Sequence, residues 1–150
     1  MRSIRSFIEV LTTASVAVVV LSFPVSVVLA CGGDRTANVQ KVDVQQVVEL
    51  QKKAIVTVVD ANNQKTRTEQ GVIPGALLLT SATAYQPDNE LPIVKDAMLV
   101  FYCANEKCRA STIAAERAVH AGYTNVAVLP AGIAGWKAAH QKTATPPNNS

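Results

Sequence analysis

The sequence predicts one α/β domain: a central, mostly parallel sheet with helices on both faces. Two observations carry this. Apolar runs such as Ile55 to Val59 and Met98 to Tyr102 are continuous rather than alternating, which suits strands buried on both sides. These runs alternate with short stretches of helical spacing, the pattern of βαβ units. The 150 residues, 49% hydrophobic, are enough for one core and little more. No internal repeat is present.

The elements follow in order. Asp43-Val44-Gln45-Gln46 has the form of a capping box, with Asp43 as N-cap and Gln46 at the third position. Val44, Val47 and Val48 then give the spacing of a short helix. Ile55 to Val59 is a buried strand ending at Asp60. Asn62 to Gln70 is polar and reads as loop with a short helical turn. Gly71 to Ala76 forms a turn before a strand at Leu77 to Leu79. Ser81 to Asp96, punctuated by Pro87 and Pro92, is irregular or briefly helical. Next come the strand Met98 to Tyr102, a loop, and a helix from Ser111 to Ala121 with Ile113, Ala114, Arg117 and Ala118 on one side. Gly122 ends that helix. Asn125 to Leu129 is a further strand, and Ile133 to His140 a last short helix. Residues 142–150, with Pro146 and Pro147, read as a disordered tail.

The N-terminus carries a different signal. Arg2 and Arg5 precede a run from Val10 to Ala30 that is nearly all apolar or small. Val28-Leu29-Ala30-Cys31 closes it and resembles a lipoprotein processing site. Residues 1–30 are therefore expected to be a signal peptide, Cys31 the lipidated residue and 31–38 a tether to a domain over 39–141. A cleaved secretory signal and a retained anchor are the alternatives. Each places the domain outside the cytoplasm, and the first in the cell envelope on the periplasmic face of a bacterial membrane. The net charge is only +3, with Lys and Arg interleaved among acids, so no nucleic-acid surface is expected.

The chemistry concentrates in Tyr102 to Ser111. Cys103 follows a strand and precedes a helix, where unpaired amides of loop and helix start face a negative charge. A thiol there is expected to ionise more readily than a free one and to act as nucleophile. The loop Ala104, Asn105, Glu106, Lys107, Cys108, Arg109 and Ala110 is its anion-binding frame. Cys108 has three readings: a disulfide partner of Cys103, a resolving thiol, or a packed small residue. Cys103 and Arg109 have the Cys-x₅-Arg spacing of cysteine-dependent phosphatases, where arginine forks onto phosphate. Ser111 is most simply a helix N-cap. Asp60, at a strand's carboxyl end, is read as an acceptor for loop amides, and Trp136 as an anchor for the last helix that could also wall the pocket. His120 and His140 fall on surface positions, and no zinc spacing is present, so no metal is expected.

Three stretches together resemble the rhodanese homology domain. Asp60 followed by Gly71-Val72-Ile73-Pro74-Gly75-Ala76 resembles the family's Asp-x-Arg and Gly-His-Ile-Pro-Gly-Ala signature. Cys103 after an apolar strand resembles its catalytic cysteine. Gly122-Tyr123, Asn125-Val126 and Gly132-Ile133-Ala134-Gly135-Trp136 resemble its C-terminal signature. The likeness spans Val39 to Gln141. It implies a doubly wound domain and transfer of sulfane sulfur from a donor such as thiosulfate to a thiophilic acceptor, through a Cys103 persulfide and with no cofactor. A monomer is expected, joined to the membrane by its lipid. The departures are Val72 for the usual histidine, Asn62 for the arginine and Arg67 for a glutamate. The loop is also about two residues longer than the sulfurtransferase norm and lacks glycine. Two other functions therefore stand beside transfer: a non-catalytic or thiol-redox domain using Cys103 and Cys108, and a phosphatase or arsenate-reductase-like enzyme using Cys103 and Arg109.

Overall fold

The computed structural model describes residues 39–147. The expected leader, the lipidation site Cys31 and the tether through residue 38 lie outside the described residues, as do residues 148–150.

The elements are β1 (Gln40–Lys41), α1 (Val44–Lys52), β2 (Thr57–Asp60), α2 (Gln64–Gln70), β3 (Leu77–Leu78), α3 (Pro87–Glu90), β4 (Leu99–Tyr102), α4 (Ala110–His120), β5 (Val126–Leu129) and α5 (Gly132–Ala138). The five strands form one sheet in the order β1-β5-β4-β2-β3, and every pairing is parallel. Side chains alternate across it, as strand geometry requires. Val59, Phe101 and Val128 pack with α4 through Ala114, Ala115 and Ala118. Val58, Val100 and Ala127 face the opposite core, with Val47 of α1 and Ile133 and Trp136 of α5. The central strand β4 is buried along its whole length.

The order of strands fixes where a ligand can sit. From β2 the chain turns outward to β3. From β4 it turns the other way, to β5. The connections after β2 and β4 therefore diverge at the carboxyl edge and leave a crevice between them, the switch point of an open α/β sheet.

Local chemistry explains most boundaries. Asp43 accepts from the Gln46 amide at 2.8 Å and Gln46 Oε1 from the Asp43 amide at 2.8 Å, so the capping box is complete. The segment expected to be loop with a helical turn is the seven-residue helix α2. Asn63 caps it by accepting from the Thr66 amide, and Gly71 ends it at φ 77°. Its buried face is one arginine, Arg67, so it shows no apolar periodicity. β1 has two exposed residues and is held by its parallel pairing to β5. Of the residues expected on the inner face of α4, Ala114 and Ala118 are buried, joined by Ala115, whereas Ile113 is exposed. The expected disordered tail is corrected at its start. Val72 and Ala144 exchange amide hydrogen bonds of 2.9 and 2.8 Å, and Pro146 is buried.

Candidate active site

Two groups of polar side chains lie at the carboxyl ends of β2 and β4. The first is a buried knot. Tyr102, the last residue of β4, donates its hydroxyl to Asp60 Oδ2 at 2.5 Å and accepts from the Ile73 amide at 3.0 Å. Asp60 Oδ1 accepts from the Asn62 amide at 2.6 Å and lies 3.4 Å from Arg67 Nε. Arg67 also donates to the carbonyls of Asp60 (3.0 Å) and Leu79 (2.8 Å). Asp60, Tyr102 and Arg67 are all buried. Asp60 therefore accepts from a loop amide as expected, and it is neutralised by a cation. The family's arginine is absent at Asn62, yet a guanidinium reaches this site from Arg67, where the family has an acid. Burial, followed by the charge of Asp60, pushes the Tyr102 phenol far above its ordinary range, so it remains a donor.

The second group is the thiol site. Cys103 follows Tyr102 directly and is only 1% exposed. Its Sγ donates to the Cys108 carbonyl at 3.2 Å and lies 3.3 Å from Ser111 Oγ. Ser111 is therefore not the helix N-cap. α4 starts at Ala110 with Arg109 in the cap position, and the Ser111 hydroxyl is turned onto the thiol. Both cysteines are free.

The charge preference of the two thiols differs from expectation. Burial pushes the Cys103 thiol up, and the neighbouring Cys108 thiol adds to this. The Ser111 hydroxyl and amide oppose it without cancelling it. Burial also pushes Cys108 up, but a hydrogen bond from Cys103 and the amides of Ala104 and Ala110 outweigh it and leave that thiol below its ordinary range. The loop amides thus favour a thiolate as the sequence predicts, but on Cys108.

The loop is fastened on one side only. The amides of Ile133 and Ala134, in the first turn of α5, donate to the carbonyls of Cys103 (2.9 Å) and Ala104 (3.0 Å). This approach needs Gly132, which has φ 58°. A Cβ there would lie 2.4 Å from the Cys103 carbonyl oxygen. The far side turns through Asn105, whose carbonyl accepts from the Cys108 amide at 3.0 Å and whose side chain accepts from the Lys107 amide at 3.0 Å. Glu106, Lys107 and Arg109 are exposed.

The crevice at the switch point has a volume of about 340 Å³. Cys108, Ala104 and Ala110 line it from the β4 loop, Ala61 and Asn62 from the end of β2, and Thr80, Ser81 and Thr83 from the opposite wall. Its lining holds amide and hydroxyl groups and the Cys108 thiol, and no Lys, Arg, Asp, Glu or His. The Asn62 side-chain nitrogen is buried without a hydrogen-bond partner. Neither Cys103 nor Arg109 is part of the lining. Glu90 braces the wall by accepting from the Thr80 amide and hydroxyl, both 2.8 Å, and the Gln86 amide, 3.0 Å. Trp136 is buried under α5, donates to the Lys142 carbonyl at 2.8 Å and takes no part in the crevice. His120 and His140 are exposed. Among the described residues no group of three His, Cys, Asp or Glu is arranged to hold a metal.

A parallel sheet with a cysteine loop at its switch point defines a class of α/β domains, and the comparisons place the chain within it. The family model of the rhodanese-like domain matches residues 43–139, and the chain belongs to that family. Solved structures agree on the fold. The BH2092 protein of Bacillus halodurans superposes with a TM-score of 0.61 at 22% identity, over 69% of this chain and 74% of that one. A thiosulfate sulfurtransferase of Pseudomonas aeruginosa gives 0.61 at 22% identity, over 72% of this chain but 21% of the other. A protein of unknown function from Rhodopseudomonas palustris, described as a possible tyrosine phosphatase, gives 0.57 at 24% identity, over 70% and 84%. No curated protein matches the sequence.

The sequence located Cys103 and its loop but missed three parts of the site. Ser111 reads as a cap in any strand–loop–helix turn. Gly132 lies in a recognised signature, but its closeness to Cys103 is a tertiary fact. The wall of Thr80, Ser81 and Thr83 has no regular pattern.

Proposed function

We propose that this domain is a sulfurtransferase that carries sulfane sulfur on Cys103. The observation supporting this most directly is the position of Cys103, at the end of the central strand against the first turn of α4 and beside the Ser111 hydroxyl. The Cys103 thiolate attacks the outer sulfur of a donor such as thiosulfate. The S–S bond of the donor breaks, sulfite leaves with the bonding pair, and Cys103 holds a persulfide. Ser111, through its hydroxyl and amide, stabilises the anion on either side of the step. The neutral hydroxyls and amides of the crevice suit the oxygens of a small oxyanion. A thiophilic acceptor then removes the sulfur.

The phosphatase reading requires Arg109 to fork onto an anion beside Cys103, and Arg109 is exposed at the start of α4 with no side-chain cap hydrogen bond to hold its guanidinium there. We also propose that the chain works in the cell envelope, tethered at Cys31 on the periplasmic face of a bacterial membrane. Metabolic labelling with a radiolabelled fatty acid tests this: label retained by the protein and lost in Cys31→Ala supports the tether, and no label overturns it.

The activity test is transfer of sulfur from thiosulfate to cyanide or to an added thiol. Product formation that disappears in Cys103→Ser supports the reading. Turnover surviving in that variant, or absent from the native chain with both acceptors, overturns it.

A further inference from the structure

Cys108 is absorbed by neither the fold nor the transfer reaction. It is not packed away as a small core residue: it is partly exposed and lines the crevice, whereas Cys103 behind it does not. Cys103 Sγ donates to the Cys108 carbonyl at 3.2 Å, which brings the two cysteines together across the loop. With Cys103 Sγ 3.2 Å from the Cys108 carbonyl and the loop between them free on its outer side, an S–S bond of about 2.05 Å is within reach of side-chain and loop movement.

We propose that Cys108 is the resolving thiol of this site and that the acceptor it serves is a dithiol reductant. The proposal rests on the reading that Cys103 carries the sulfane sulfur. Once Cys103 is a persulfide, Cys108 Sγ attacks Cys103 Sγ. A Cys103–Cys108 bond forms, the bond from Cys103 to the outer sulfur breaks, and that sulfur leaves as hydrosulfide with the bonding electrons. The two cysteines are oxidised by two electrons and the sulfane sulfur is reduced to sulfide. The proton of the Cys108 thiol passes to solvent or to the departing sulfide.

The disulfide is reopened from the crevice. Its accessible sulfur is that of Cys108, so an external dithiol attacks there, Cys103 leaves as thiolate, and the second thiol of the reductant releases Cys108. The amides of Ala104 and Ala110 support the attacking form of Cys108. The products of a full cycle on thiosulfate are sulfite, sulfide and an oxidised dithiol. The site therefore needs a reaction that regenerates dithiols on its side of the membrane and one that consumes sulfide.

The reduced full-length protein, incubated with thiosulfate under argon without added thiol, tests this by intact mass and sulfide assay. The native chain is expected to lose two hydrogens and release sulfide equimolar with itself. Cys108→Ser is expected to gain one sulfur, mapped to Cys103, and to release none. Dithiothreitol then restores Cys103 and Cys108 of the native chain to free thiols. A native chain that keeps one added sulfur and releases no sulfide, with Cys108→Ser behaving alike, overturns the resolving role and leaves the transfer reading standing. If neither chain gains sulfur or releases sulfide, the transfer reading fails, and this proposal fails with it.

Discussion

Tyr102 and Cys103 are consecutive residues that serve opposite ends. The Tyr102 hydroxyl closes a knot in which Asp60 has a phenol, an amide and a guanidinium around it. The Cys103 thiol has one carbonyl, one hydroxyl and a neighbouring thiol. Strand alternation sends consecutive side chains to opposite faces of the sheet, so Tyr102 packs in the core with α1 and α5 while Cys103, just past β4, turns toward the first turn of α4. A well-satisfied buried charge is inert. The Cys103 thiol has fewer and weaker partners, and one neighbour is the backbone of a second cysteine. The same edge of the sheet is thus tied by one residue and, in the proposed reaction, used by the next.

Substitutions separate the two halves. Cys103→Ser should reduce sulfur transfer by about 10³-fold or more, since the nucleophile is removed, while the thermal midpoint stays close to that of the native chain. A midpoint that collapses would show that the thiol site also supports the fold. Asp60→Ala should do the reverse. It leaves Arg67 buried without its carboxylate, at a cost of about 3–5 kcal/mol in urea unfolding. Unchanged stability would mean that the knot is not a structural device. Tyr102→Phe strips a partner from Asp60 and from the Ile73 amide and should cost about 1–3 kcal/mol.

The smallest effect concerns protonation. Because Cys108 is held low and Cys103 high, rising pH should expose thiolate on Cys108 first. Iodoacetamide, followed by peptide mass, should label Cys108 at lower pH than Cys103. Equal labelling profiles, or the reverse order, would remove the distinction between the two sulfurs. Ser111→Ala should move Cys103 labelling to still higher pH, because it removes the hydroxyl that favours the thiolate and leaves only the Ser111 amide.

The parts of the molecule legible in the sequence are those dictated by neighbouring residues. Continuous apolar runs located β2, β4 and β5, and Asp43 with Gln46 located the start of α1, because burial on both faces and capping leave local patterns. β1 left none, since two exposed residues paired to Val128 and Ala127 resemble any loop. α2 escaped because its buried contact is a charge, Arg67, whose partner is seven residues away. Cys103 was legible from its place after a strand. The ordering of thiol acidity was not, because it depends on how completely Cys103 is enclosed and on which amides the folded loop turns toward Cys108.

The clamp between Gly132 and the cysteine loop also has a consequence in time. The Cys103 and Ala104 carbonyls are met by amides of residues 133 and 134, some thirty positions downstream. A chain made from its N-terminus presents both thiols before the segment that fastens them exists. During that interval the pair is free to oxidise at random or with other chains. A Gly132→Ala substitution would prolong that window in every new copy, and its first symptom would be mixed disulfides in freshly made protein, ahead of any change in the folded protein.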